Sequence, residues 1–306
     1  MIVAWCLGGG LGHLTRIRAW HHTHRGGEPL LIATVSAHAA DRRITGPATV
    51  VELARPGDRP DPGFLRRRLA ALLAGPDVTE LVVDAFPAGL MGELDGLPVP
   101  GHVAVTHLAR LLRWDVYQRR LGDRPPRFDR VHLLEPLDPR HLAWLRARTA
   151  SVEPTTVADP PPGWPAEAPP IPTPAFDASA GTIVAHSGPV GEVTALLGLA
   201  LRHRGPVLLA APTRSRPVPL PDRVVAVDLL PVWPLLPRAR LVVTGGGWNS
   251  VRQAAGGTRW LAVPFPRALD DQHRRLARLG PVAPEIGADA QAAERTLSRL
   301  RSSTSR

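Results

Sequence analysis

LVVTGGGWNSVRQAAGGTRWLAVPFPRALDDQ, residues 241–272, is the stretch that decides the fold. LVVT is an apolar run of strand length. It enters three glycines, and Asn249 and Ser250 then suit the opening turn of a helix. WLAV follows as a second apolar run, so the segment reads as strand, glycine turn, helix, strand, the repeating unit of a parallel sheet. Gly245, Gly246 and Gly247 let backbone come close to a phosphate, the free N–H groups of a helix start point at it, and Ser250 adds a hydroxyl donor. A turn that needs glycine only for its backbone angles accounts for the same three residues, and both readings stay open at this point.

Working outward, short apolar runs alternate with longer amphipathic stretches along the whole chain, which predicts an α/β fold. Strands are expected at 2–7, 30–35, 49–53, 80–84, 102–106 and 130–134, forming one Rossmann-like unit over residues 1–150. A second set at 182–185, 207–211, 224–227, 241–244 and 260–263 forms another over 181–300. Between them, residues 151–180 are dense in proline, which stops helices and keeps central strands from pairing, so this stretch reads as a stiff linker. Residues 301–306 read as a disordered tail.

Composition excludes several classes. The chain has 306 residues and a formal charge of +10, but all of that positive charge is arginine, scattered as Arg16, Arg42, Arg66, Arg119, Arg146, Arg214 and Arg274, and aromatics make up only 5%. No basic stripe with stacking platforms results, so nucleic acid is not the expected partner. His21, His22 and His24 lack Cys or carboxylate companions at ligand spacing, and no metal site is expected. A single cysteine, Cys6, lies in an apolar run as a core filler, the N-terminus lacks a basic signal region, and no apolar run reaches the ~20 residues of a membrane span; a cytoplasmic protein is expected. FLRRRLAALLA, residues 64–74, places Arg66, Arg67 and Arg68 beside apolar residues at helical spacing. Such a face could rest on an anionic membrane, and it equally suits a helix with a solvated basic side.

LLPRARLVVTGGGWNS followed by LAVPFPRALDDQ resembles the C-terminal half of the GT-B glycosyltransferases, the superfamily of the peptidoglycan N-acetylglucosaminyl transferase and of the macrolide and plant transferases. The resemblance implies two Rossmann-like domains facing each other across a cleft, the N-terminal one for the acceptor and the C-terminal one for a nucleotide sugar. It implies a hexosyltransferase that inverts and uses no metal or cofactor. The co-substrate is a nucleoside diphosphate sugar, UDP-sugar being the usual one, and the acceptor is a small-molecule or lipid-linked hydroxyl. The glycine turn with Asn249 and Ser250 then holds the diphosphate, and Asp271 and Gln272 hydrogen-bond the donor sugar. A second wall comes from TIVAHSGPVG, residues 182–191, through Ser187, Gly188 and Gly191; His186 there suits a satisfied core histidine. Two positions depart from the family pattern: Gly245 replaces a diphosphate-reaching histidine, and Gln253 a ribose-bridging glutamate. A neutral amide makes hydrogen bonds of roughly 0.5–1.5 kcal/mol against about 1.5–3 for a charged group, which points to weaker donor binding or another nucleotide. A nucleotide-sugar hydrolase or epimerase, or a degenerate binding protein of the same fold, shares these features. Neither the acceptor's identity nor an oligomeric state follows from the sequence.

At the N-terminus GGGLGHLTR, residues 8–16, follows the first strand and opens the first helix, putting Gly10, Gly12, His13 and Arg16 at the carboxyl edge of the sheet, where ligands of open α/β folds bind. The Gly12–His13 pair resembles the one at the cleft of these transferases, where the histidine is a base in several relatives; an unperturbed pKa near 6.5 suits that work. A histidine that only braces the turn would look the same. Asp84, at the end of the strand ELVVD, is placed to orient His13 or to cap the next turn, and Glu93 falls on the helix expected after it.

Overall fold

The computed structural model describes residues 1–55, 58, 60–163, 179–256 and 259–279. They divide into two compact units, Met1–Pro161 with Ala268–Asp270, and Pro162–Arg267 with Asp271–Arg306. Residues 164–178 of the expected linker and the 301–306 tail lie outside the described residues.

The first unit runs β1 (Ile2–Cys6), α1 (Leu11–His24), β2 (Leu30–Thr34), α2 (Arg42–Thr45), β3 (Thr49–Glu52), α3 (Pro62–Leu73), β4 (Glu80–Asp84), β5 (Ala104–Ala109), α4 (Trp114–Tyr117), β6 (Phe128–Leu133), α5 (Pro139–Arg146) and β7 (Thr149–Pro154). Its seven strands are parallel in the order β3-β2-β1-β4-β5-β6-β7. All five residues of β1, IVAWC, are buried, as a strand covered on both faces requires. α3 shows how sequence makes an element here: Asp61 accepts from Phe64 N at 2.7 Å as N-cap, Pro62 sits in the first turn, and Leu65, Leu69 and Leu73 recur every four residues to bury one face.

The second unit runs β8 (Thr182–Ala185), α6 (Val190–Ala200), β9 (Val207–Ala210), β10 (Val224–Val227), β11 (Leu241–Gly245), α7 (Trp248–Ala254), β12 (Trp260–Val263) and α8 (Gln272–Arg278). The five strands among its described residues are parallel in the order β10-β9-β8-β11-β12. Val184, Val243, Leu209 and Val263 from four of these strands meet Val193, Leu196 and Leu197 of α6 in one core cluster.

Three expectations are corrected. The proline-dense stretch begins inside β7, which pairs with β6 from Phe128↔Thr149 to Leu133↔Pro154; β7 is an edge strand, where a proline is tolerated. β5 extends to Ala109, because His107 is a strand residue with a fully buried side chain rather than the polar end of the run. Glu93 lies on no helix. Gly89, Gly92 and Gly96 all take positive φ and break any helix there, and the buried Glu93 carboxylate instead accepts from Trp5 Nε1 at 2.9 Å and from the backbone of Leu90 and Met91.

Two imidazoles of the first unit, His107 and His141, are fully buried. His107 donates from Nδ1 to Val83 O at 2.9 Å while its Nε2 has no partner among the described residues; both ring nitrogens of His141 are likewise unpartnered, and its ring stacks on Trp114 with centroids 4.2 Å apart. Burial depresses both, His107 to about 4 and His141 to about 3. A histidine whose folded value is depressed binds its proton more readily in the unfolded chain. Stability is therefore lost as pH falls from the ordinary value near 6.5 towards 4, by about 1.4 kcal/mol per pH unit for each histidine. His141→Phe, which keeps the stack on Trp114, should flatten the acid limb of stability measured by urea denaturation across pH 4–7; an unchanged slope would show that folding does not lower the proton affinity of His141.

Candidate functional site

In an open parallel sheet the ligand crevice forms where the strand order reverses, because the loops leaving the two adjacent strands run to opposite sides. In the first unit this point lies between β1 and β4, and in the second between β8 and β11. The candidate residues other than Asp271 and Gln272, which follow β12, lie at or after the carboxyl ends of these four strands.

At the first reversal His13 stands in the first turn of α1, just after β1, and Asp84 ends β4. His13 Nδ1 lies 2.6 Å from Asp84 Oδ2. Arg16, one turn further along α1, donates from Nε to Asp84 Oδ1 at 2.5 Å and from Nη2 to Oδ2 at 2.7 Å. All three side chains are largely or wholly buried. Burial opposes ionisation of Asp84, but Arg16 and His13 outweigh it and hold the carboxyl well below the ordinary carboxylate range. An ionised carboxylate only accepts, so Nδ1 carries the hydrogen, and the nearby Arg16 Nη2 at 3.2 Å is a charge contact rather than a donor to that nitrogen. Burial also lowers the His13 pKa, against the pull of Asp84, and Arg16 and Arg110 add to the lowering. The resting imidazole is neutral, with the Nε2 lone pair unpartnered among the described residues.

Two backbone features make room for this triad. A Cβ on Gly8 would collide with Cδ2 and Nε2 of His13, so glycine is required there by the ring, while Gly9 and the N-cap Gly10 face open space. Ala85, directly after Asp84, has φ 62, a left-handed conformation rare for a residue with a side chain, and Phe86 then reaches the His13 ring with centroids 5.6 Å apart. Gly12 lies in the first turn of α1 beside His13. Arg110, after β5, stands over Phe86 and pairs with Asp270 at 2.6 Å.

Cys6, His13 and Asp84 form the one group among the described residues whose potential metal ligands all lie within 4.8 Å, a clustering not expected from the sequence. Its chemistry suits a proton rather than a metal. Arg16 already supplies the positive charge on both Asp84 oxygens, and burial pushes the Cys6 thiol up, which keeps it protonated.

At the second reversal, Gly245 ends β11 and Gly247 is the N-cap of α7, whose first turn carries Asn249 and Ser250, with Gln253 half-buried further along. Gly246 packs against Gln272 and Leu276: an added Cβ would lie 3.2 Å from Gln272 Cβ. The acidic-Gln pair has work within the chain. Asp271 is the N-cap of α8, accepting from Arg274 N at 3.0 Å, and Gln272 Oε1 accepts from Phe265 N at 2.9 Å, tying the PFP segment to the glycine turn. Ser187 and Gly188 lie half-buried in the loop after β8, and Gly191 is in the first turn of α6, facing open space.

His186 occupies the ground between these loops. A Cβ on Gly245 would lie 2.8 Å from His186 Cε1 and one on Gly188 would strike His186 Nε2, so both glycines are required by this imidazole. His186 Nε2 is 2.7 Å from Glu192 Oε2, and Arg267 clamps Glu192 with both terminal nitrogens at 2.6 Å. Burial acts to raise the Glu192 pKa, but His186 and Arg267 bring it down to about 2. Glu192 and Arg267 escaped the sequence reading because their pairing depends on strand order. The only local signal was an acid in the first turn after HSGPVG.

No family model matches the chain, and no curated protein matches it by sequence. Solved structures do. The spinosyn rhamnosyltransferase superposes with a TM-score of 0.58 at 16% identity, covering 100% of this chain and 92% of that one. The glycosyltransferase SnogD from Streptomyces nogalater gives 0.55 at 16% identity, covering 98% and 95%. The UDP-N-acetylglucosamine 2-epimerase from Rickettsia bellii gives 0.50 at 10% identity, covering 98% and 95%.

Replacing Arg16 removes the cation paired with Asp84 and two of the three side-chain hydrogen bonds that its carboxylate accepts, a change that costs about 3–5 kcal/mol in comparable buried pairs. Arg16→Met should lower the urea-denaturation stability by that order, and the double variant Arg16→Met with Asp84→Asn should recover part of it; equal losses in both would remove the ion pair as the organiser of this site. With two parallel sheets and full-length superposition, the chain has the fold of the GT-B glycosyltransferases.

Proposed function

We propose that this protein is an inverting glycosyltransferase that uses a nucleoside diphosphate sugar, with His13 as the base that activates an acceptor hydroxyl. The observation that carries the reading is the neutral His13 imidazole at a sheet reversal, its Nδ1–H fixed on an ionised Asp84 and its Nε2 lone pair left for a substrate. Asp84 sets the tautomer and stabilises the imidazolium that forms, as the acid of a hydrolase triad does. Arg16 balances Asp84 at rest, which keeps the imidazole unprotonated and able to accept.

In the step itself, Nε2 takes the acceptor O–H proton as the oxygen bonds to the anomeric carbon, and the bond from that carbon to the diphosphate oxygen breaks on the opposite face. The nucleoside diphosphate leaves with the bonding pair. The turn formed by Gly246, Gly247, Asn249 and Ser250 supports its negative charge through backbone and hydroxyl donors. No step in this scheme calls for a metal. The names of the structural neighbours, a rhamnosyltransferase and other glycosyltransferases, support the reaction class. The likeness to a UDP-N-acetylglucosamine 2-epimerase supports a second reading, in which a nucleotide sugar is processed with no acceptor.

A panel of nucleotide sugars should contain at least one that raises the melting temperature of the purified protein; none doing so contradicts the donor site. With that sugar alone, a transferase releases nucleoside diphosphate slowly and an added acceptor accelerates it. Rapid release or sugar isomerisation without acceptor would instead establish the second reading. Because the base must be neutral and burial lowers His13, kcat/KM should hold at neutral pH and fall only below about 6.5. His13→Ala should lower kcat by roughly 10²–10⁴-fold with the fold intact, the usual worth of a positioned base.

A further inference from the structure

The second unit carries a histidine that the scheme above leaves idle. His186 leaves the end of β8 and lies against Gly245, with only 11% of its side chain exposed. Its orientation is fixed from one side. Glu192 on α6 accepts the Nε2 hydrogen at 2.7 Å, Arg267 after β12 holds both Glu192 oxygens, and Phe265 lies against the ring with centroids 5.4 Å apart. Nδ1 is the remaining nitrogen. It takes no partner among the described residues and stands 3.1 Å from where a Cβ of Gly245 would be, at the mouth of the glycine turn.

The charges facing this ring can be counted element by element. α6 contributes Glu192, the segment after β12 contributes Arg267, and α8 contributes Arg275, which donates to Gly246 O at 3.0 Å. β9 offers only the Ala210 carbonyl, which accepts from His186 N, and the β11 turn offers glycine backbone. Glu192 and Arg267 cancel and Arg275 leaves the group with one net positive charge, so a proton on His186 adds a second that no further carboxylate in the group balances. An anion at the turn would balance it.

We propose that His186 binds the diphosphate of the donor through Nδ1, taking up a proton as the nucleotide binds, with Glu192 and Arg267 as the positioning residues that set its orientation. The ligand class rests on the reading of this turn as the donor site. A neutral His186 held by Glu192 presents a lone pair at Nδ1, which repels a phosphate oxygen; the imidazolium presents an N–H, which makes a charge-assisted hydrogen bond to it. Binding and protonation are thereby linked, and the same proton is at hand for the diphosphate oxygen when it departs.

The test is isothermal titration calorimetry of the full chain with uridine, thymidine, guanosine and adenosine diphosphates at pH 7.5, repeated in buffers of different ionisation enthalpy to read the protons taken up. For whichever nucleotide binds, uptake of up to about one proton is expected, with affinity rising as pH falls from 8 to 6.5. His186→Asn keeps a neutral N–H near the Nδ1 position and should abolish the uptake while weakening binding about tenfold, the scale of one lost charge-assisted hydrogen bond. Glu192→Gln keeps the shape and should shift the uptake to lower pH. Binding without proton uptake, or uptake that survives in His186→Asn, overturns this assignment and leaves the donor site standing. Failure of the wild type to bind any of the four overturns both.

Discussion

A carboxylate with no exposed surface, Asp84, is the constraint on which the first unit turns. An unpaired charge at such a depth would be driven to neutralise, because the low-dielectric interior penalises it heavily. Arg16 answers it with two hydrogen bonds and His13 with one, and each answer dictates something else. Both side chains come from the first turns of α1, at positions i and i+3, so the start of that helix has to sit against the end of β4. The order of the sheet, with β1 next to β4, is what brings them together. Gly8 has no side chain because the His13 ring stands where one would be, and Ala85 adopts a left-handed backbone directly after the carboxylate.

The second unit repeats this chemistry with the polarity of the ring exchanged. At its own strand reversal a histidine again meets a carboxylate that an arginine clamps: His186, Glu192 and Arg267. In the first triad the carboxylate holds Nδ1 and leaves Nε2; in the second it holds Nε2 and leaves Nδ1. The electrostatic settings suit opposite tasks. Burial keeps His13 neutral, as a group that accepts a proton should be. His186 lies against a glycine turn, a backbone arrangement of the kind that attracts anions.

Much of this could be read from the chain. Short apolar runs marked eleven of the twelve strands among the described residues; β1, β2, β4 and β9 are buried along their whole length and have no solvent face to mark with alternation. β7 was hidden because its composition, ending in Glu153 and Pro154, looks like linker, and only its place at the edge makes the proline harmless. His13 and Asp84 were legible as companions because both end strands at the ligand-bearing edge. Arg16 was legible as a neighbour of that site, but its partner was not. Glu192 and Arg267 were invisible for a related reason: 75 residues separate them, and nothing local links an acid on α6 to an arginine after β12. The glycines carry a different lesson. Gly188 and Gly245 look like phosphate-binding glycines in sequence, yet their missing side chains are accounted for by one imidazole of the same chain.

The central claim is that His13 rests neutral, protonated on Nδ1 and open on Nε2, because a buried and arginine-balanced Asp84 holds it so. Nitrogen-15 NMR of the histidine side chains, with His13 assigned by comparison with a His13→Gln variant, measures this directly. The account predicts a neutral Nδ1–H tautomer at pH 7.5 with a midpoint below the ordinary 6.5. An Nε2–H tautomer, or an imidazolium that persists above pH 7, would contradict it.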